Sequence, residues 1–409
     1  MLMGGLFWEV LMLPISIAAA QWGIGVAAIG WIWMMIAEKK LKFSLGVITL
    51  PTACYIGICI ITSAFAERTG HALASVWDNE WLLFSAIMLV SAKPTAKELQ
   101  RILLFFVVAG IFGAAFGIVQ HFTGIRWHGT KDDLFIAYYI GQKPTYRSLG
   151  FFSHTLSYSS VMALLFFLIA GLLIAGYRQH KKMFIAGLVF VAAALFVSYS
   201  RGTWISIGLT AIGLALVSQN TKARRAILAA IMLGIICCAF VPQVRDRITH
   251  LGNSDPGNVD RQTYWNIAMQ IARDHPVMGI GADNWDLFYP RYKPPEPGAP
   301  LSFPDHPHNE YLNVLTSAGI FGLLAYLWMW GALLKAAIKK MKNEHHPLYH
   351  GILIGGAAGI FSVLIAQFTQ DIFHDFTDQL TWWFITGLVL VAINRTESSD
   401  PQITNSATL

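Results

Sequence analysis

Apolar runs of close to twenty residues recur from one end of the chain to the other, and no other feature restricts the possible folds as sharply. Wound as a helix, such a run covers roughly 30 Å, the hydrocarbon thickness of a bilayer. A backbone in lipid must satisfy its own hydrogen bonds, so helices are expected throughout. Only 13% of the 409 residues are charged and 55% are hydrophobic, which leaves too little charge to clothe a soluble globule of this size. The pattern predicts an all-α polytopic membrane protein with twelve spans, at about 5–20, 21–37, 43–65, 74–92, 101–122, 154–177, 182–200, 201–219, 225–242, 311–337, 350–370 and 379–394. The first run has no basic segment before it and leads straight into the second, so it is expected to be a retained span and not a cleaved signal peptide.

An even number of spans puts both termini on one side, and the basic residues say which. The short loops after spans two, four, six, eight and ten, with the C-terminal tail, hold 17 of the 29 basic residues and five of the 23 acids. That side sums to +12 and the rest of the chain to −6. By the positive-inside rule the basic side is cytoplasmic, which predicts a multi-pass protein of a bacterial inner membrane with both termini in the cytoplasm. The same distribution argues against nucleic acid as the partner of a chain of pI 9.1, because the cations lie between spans and not in one folded stripe. Cys54, Cys59, Cys237 and Cys238 all lie inside apolar runs, where small buried hydrophobes are expected and a zinc site is not.

Two long segments, 123–153 and 243–310, then fall on the outer side. The longer should contain a helix: Tyr264, Ile267, Ala268 and Ile271 recur at helical spacing until His275-Pro276 stops them. Gly279, Gly281 and a Pro-rich stretch from Pro290 to Pro307 follow, as in a lid over the membrane. The chain thus divides into spans one to nine (1–242), a periplasmic lid (243–310), spans ten to twelve (311–395) and a tail (396–409).

The outer side also carries the residues suited to chemistry. Arg201, in Ser198-Tyr199-Ser200-Arg201-Gly202, is a cation at the start of a span, where it opposes the helix dipole unless an anion joins it. It is an interfacial anchor or an anion contact. Arg261 follows Asp260 at the expected start of the outer helix, as a salt-bridge partner or a phosphate fork. His308 lies in Asp305-His306-Pro307-His308-Asn309-Glu310-Tyr311-Leu312, where a loop turns into a span. A helix start keeps imidazole neutral, which suits a general base as well as a plain interfacial histidine. Arg147, before Ser148-Leu149-Gly150, is a further anion or sugar contact or an interfacial anchor. Asp371, Asp375 and Asp378 share one helical face and balance the arginines or bind hydroxyls more readily than they hold a cation.

Taken together these motifs resemble the O-antigen ligase and O-antigen polymerase superfamily. The resemblance is carried by Ser200-Arg201-Gly202, by Arg261-x₃-Trp265-x₂-Ala268 with Pro276-x₂-Gly279-x-Gly281, and by His308-Asn309-x₂-Leu312 with Gly319 and Gly322. Arg147-x₂-Gly150-x-Phe152 resembles a further family element, with His154-Thr155 where an Asn-containing pair is often seen. The resemblance implies a fold like the C-type membrane glycosyltransferases. It also implies transfer of a glycan from undecaprenyl diphosphate to a lipid A-core acceptor at the periplasmic face, a step of lipopolysaccharide assembly with no cofactor and no obligatory metal. His308 would be the base and Arg201 and Arg261 the diphosphate holders, with Arg147, Trp265, Asn309 and Tyr311 as substrate contacts. A polymerase, whose acceptor is a second carrier-linked glycan, would need the same residues. A small-anion transporter would instead place ionisable residues at mid-membrane, which the spans largely lack.

Overall fold

The computed structural model describes residues 1–127, 136–140, 143–218, 221–240, 256–293, 306–370 and 376–395. The expected spans are found as helices: α2 (Ile17–Glu38), α3 (Thr49–Ala64), α4 (Thr69–Glu80) continued through a 3-10 turn into α5 (Phe84–Ala92), α6 (Ala96–Thr123), α7 (Thr155–Ile174), α8 (Lys181–Val197), α9 (Arg201–Val217) and α10 (Thr221–Phe240). Beyond the long segment come α13 (Glu310–Met341), α14 (Pro347–Ala366) and α15 (Phe376–Asn394). Among the described residues seven helical segments are long and apolar enough to cross a membrane, and with the shorter apolar helices they make this an all-α, multi-pass membrane protein. The count of twelve crossings is not reached on that criterion, since α8 and α9 have 17 residues each.

The first expected span is corrected. Residues 5–20 are not one helix: α1 (Leu2–Met12) is 11 residues long, the chain turns at Leu13–Ile15, and α2 begins behind Ser16. Pro14 cannot continue the amide ladder, and the Ser16 hydroxyl caps α2 by accepting from the Ala19 amide at 3.4 Å. At about 1.5 Å per residue, α1 reaches only part of the way across a bilayer. It packs antiparallel on α2, with Met1 and Leu2 against Gly30.

Packed pairs such as α1 with α2 and α7 with α14 run antiparallel, and the described loops gather at two ends. At one end lie the basic loops, tied together by Arg395 on Glu344 at 2.9 Å and by Lys340 Nζ on the Arg395 carbonyl at 2.8 Å. The opposite end gathers the starts of α7, α9 and α13 and the ends of α6, α8 and α14. Small residues allow close contact between α7 and α14: a Cβ on Gly171 of α7 would stand 2.4 Å from the Gly355 Cα of α14. Cys54 and Cys59 are free, half-buried thiols, as their apolar setting predicts.

The segment 123–153 holds an antiparallel hairpin that was not expected, β1 (Ile136–Ile140) with β2 (Lys143–Tyr146). Gly141-Gln142 between two apolar stretches is the signal that could have found it. The expected outer helix is present as α11 (Pro256–Asp274), followed by α12 (Trp285–Tyr292). Ile267, Ala268 and Ile271 pack with Ile280, Trp285 and Phe288 into a second apolar core outside the main bundle.

Candidate active site at one end of the bundle

The site is organised by a break in α13. Gly319 has φ +65, a left-handed conformation that costs glycine little, and it interrupts the ladder in the middle of an apolar run. The segment after α11 docks into the opening: the Ile280 amide donates to Thr316 O at 2.8 Å, Gly281 N to Ser317 O at 3.0 Å and Ile320 N to Pro276 O at 2.9 Å. Gly279, also at positive φ, lies so close that a Cβ there would sit 2.5 Å from two α13 carbonyls. The glycines of the two motifs therefore meet each other, and together they fix the short N-terminal piece of α13 under α11.

That N-terminal piece presents His308. Asn309 is its N-cap: Oδ1 accepts from the Leu312 amide at 3.1 Å and Nδ2 donates to Phe368 O at 3.0 Å. Both ends of this buried amide are engaged, so Asn309 fixes the loop that presents His308. Tyr311 is similarly used, its hydroxyl donating to Leu364 O at 2.7 Å. His308 itself is half-buried with φ +52, between His306 and Tyr264, whose rings lie 4.4 and 5.9 Å from its own. A non-glycine residue held there is the kind of strain that a surrounding scaffold must impose.

Residues 366–370 join this loop to Arg201. Asn309 bonds Phe368, the Glu310 amide donates to Gln367 O at 3.0 Å, and on the other side a Cβ on Gly202 would lie 2.6 Å from the Thr369 hydroxyl. Gln370 donates to the Thr203 hydroxyl at 3.2 Å and accepts from Ser160 at 3.1 Å. Thr203 in turn bonds Ser159 and Ser200, each at 2.9 Å. Arg201 is the first residue of α9, and the Ser200 hydroxyl is spent on Thr203 and does not cap the helix. Arg147 joins the same turn, its Nε donating to Ser198 O at 3.4 Å beside the Ser148 amide on Val197 O at 3.1 Å.

Arg261 does not stand at the start of its helix, as the sequence suggested. α11 begins at Pro256, so Arg261 lies in its second turn and not among the free amides of the first. It precedes Tyr264 by three residues and Trp265 by four, which puts it on the helix face that meets His308. The Trp265 indole N–H on that face is buried without a hydrogen-bond partner among the described residues. Asp371 and Asp375 lie outside the described residues; Asp378 is buried at the start of α15.

Sequence reasoning missed the clamp that holds the lid. Arg68, in the α3–α4 turn, donates to Asn284 Oδ1 and Asp286 Oδ2 at 3.0 Å each, and Arg291 pairs both oxygens of Glu67 at 2.6 and 2.7 Å. His71 adds Asp283 at 3.0 Å. Partial burial pushes the Asp286 carboxyl up, but Arg68 outweighs it and the net shift is downward; Arg291 holds Glu67 down likewise. Carboxylates with depressed values contribute stability above their unfolded pKa and lose it only as pH falls through the folded one, so these two contacts persist at neutral pH and fail in acid below the ordinary carboxylate range. Arg68→Ala should loosen the lid by about 1 kcal/mol, as expected for partly exposed pairs. Faster proteolysis or amide exchange across 276–293, with the bundle unchanged, is the expected result.

The arrangement defines a multi-pass membrane protein with arginines and a strained histidine gathered at one end under a clamped extramembrane segment. The family model for O-antigen ligase matches residues 186–327, which contain Arg201, Arg261, Trp265, the docked glycines and His308 but not Arg147. An O-antigen ligase of Salmonella typhimurium is 24% identical over 221 residues, 51% of this chain and 53% of that protein, so the match spans about half of the relative's length. The resemblance to the O-antigen ligase and polymerase superfamily, read from the motifs, is borne out.

Proposed function

We propose that the chain is an O-antigen ligase that moves a glycan from undecaprenyl diphosphate to a lipid A-core acceptor, on a C-type glycosyltransferase scaffold. The observation that carries this reading is the convergence of Arg147, Arg201 and the His308 loop on one end of the bundle, joined through residues 366–370. In this reading the basic end faces the cytoplasm and the His308 end the periplasm, as the charge asymmetry requires. His308 takes the proton of the acceptor hydroxyl while its oxygen attacks the anomeric carbon. The bond from that carbon to the diphosphate oxygen breaks, and the leaving electron pair ends on undecaprenyl diphosphate between Arg201 and Arg261. Attack opposite the leaving group inverts the anomeric centre. Charge stabilisation is assigned to the guanidinium groups.

The acceptor decides between ligase and polymerase. Purified protein in nanodiscs, given carrier-linked glycan together with lipid A-core or with a second carrier-linked glycan, should glycosylate the lipid A-core. Elongation of the carrier-linked glycan alone would make the chain a polymerase, and no transfer to either would sink the enzymatic reading.

A further inference from the structure

At the end of the bundle opposite His308, the start of α6 and the turn between α7 and α8 enclose a cavity of about 290 Å³. Its walls are Lys97, Gln100, Arg101 and Leu104 of α6 with Gln179 and His180 of the turn. The 28 residues of α6 carry the chain about 42 Å from here to the neighbourhood of Arg147, so the cavity is separate from the candidate active site.

Its chemistry selects an anion. Lys97 and Arg101 stand one turn apart, His180 faces them across the cavity, and no acid lines it. The nearest carboxylate on α6, Glu98, is spent on the Thr95 amide and hydroxyl at 2.8 Å each. Lys181 and Lys182 open α8, where cations oppose the helix dipole, and no side chain caps that helix. Among the described residues none of Lys97, Arg101, Lys181 and Lys182 makes an ion pair. Other basic loops carry bare cations too, but here Lys97 and Arg101 line a cavity, whereas Arg395 is paired to Glu344.

A second feature distinguishes a lipid from a free anion. Directly below Arg101 along α6, Phe105, Val108 and Phe112 follow at the fourth, seventh and eleventh positions and are 37%, 40% and 56% exposed. They make one partly exposed apolar stripe that starts at the cavity, with the Phe105 ring edge-on to Phe7 and the Phe112 ring stacked on Phe151. We propose that this cavity binds the phosphate-bearing headgroup of an anionic membrane lipid, whose chains lie along the Phe105–Val108–Phe112 stripe. Soluble phosphate would meet the cations but leave the stripe unused.

The test is thermal unfolding and native mass spectrometry of the delipidated protein in neutral detergent, titrated with phosphatidylglycerol, phosphatidylcholine or inorganic phosphate. Phosphatidylglycerol should bind at least about tenfold more tightly than phosphatidylcholine, and Lys97→Gln with Arg101→Gln should remove about tenfold or more of that affinity, given two lost surface cations. Both side chains are exposed, so the lipid-free melting temperature should not change. Should the double variant fail to fold, Arg101→Gln alone carries the same comparison. Undiminished phosphatidylglycerol binding by the variant that folds would overturn the site, and inorganic phosphate binding as tightly as the lipid would reduce it to a small-anion site.

Discussion

Arg201→Ala is expected to lower the rate of glycan transfer by about 10²–10³-fold, the usual loss when a preorganised charge stabiliser is removed from an active site. The structural reason is specific to the start of α9. Ser200 stands at the N-cap but bonds Thr203 instead of the helix amides, so those amides and the Arg201 guanidinium are presented together. A cation at that position opposes the dipole and is costly to the fold unless an anion meets it. A diphosphate turns both into favourable contacts. Arg201→Lys should rescue poorly, because an ammonium cannot make the two-pronged contact of a guanidinium. Arg261→Ala should also cripple transfer, though by less, since Arg261 sits in the second turn of α11 and acts through its side chain alone. Assays of both variants in nanodiscs, with donor affinity measured separately, decide the matter. Wild-type turnover by Arg201→Ala would make that residue an interfacial anchor.

Much of this site was legible in the sequence because its parts announce themselves locally. Apolar length fixed where helices run, and charge fixed which of their ends belong together. The errors have local signals too. Pro14 and Ser16 mark the end of α1 and the cap of α2, and Asp255-Pro256 is a helix-start pair that places the beginning of α11 five residues before Arg261. What could not be read is tertiary. Gly319 stands inside a long span, and only the docking of Pro276–Gly281 against Thr316–Ile320 shows that the helix opens there. The tie of Asn309 to Phe368 depends on a segment 59 residues away, which nothing around Asn309 announces. Arg68 reaches Asp286 across 218 residues, and nothing near either residue signals the pairing.

The broken helix and the clamp have one consequence for mechanism. Arg201 and the His308 loop are fixed to the bundle through residues 366–370, whereas Arg261 and Trp265 are fixed to α11, which is held by the glycine docking and by Arg68 and Arg291. The candidate site therefore draws on two attachments, and in the proposed mechanism that of the lid sets the separation of Arg201 and Arg261. Weakening the clamp should raise the donor concentration needed for half-maximal rate before it alters the chemical step.

His308→Asn is expected to lose about 10²–10⁴ in transfer rate, the contribution of a positioned general base. Asparagine is the informative replacement because His308 has φ +52. Alanine there adds strain to the loss of the imidazole, while asparagine tolerates the left-handed region and cannot take up a proton at these pH values. Donor binding should survive, since the proposed mechanism assigns the diphosphate to the arginines. His306→Ala should be much milder: its ring stacks edge-on against His308 at 4.4 Å and supports it without touching the reacting hydroxyl in the proposed geometry. The pH–rate profile supplies the readout that a structural role would not move. Across pH 5.5 to 8.5 a limb of the wild-type rate that reports a general base should be missing from the remaining activity of His308→Asn. The Glu67 and Asp286 contacts of the lid do not titrate in that window, because both carboxyls are held below their ordinary values. His71→Gln and His275→Gln are the controls among the lid histidines and should leave the limb in place. Normal transfer by His308→Asn, or loss of donor binding as complete as in Arg201→Ala, would remove His308 from the role of base and group it with the anion site.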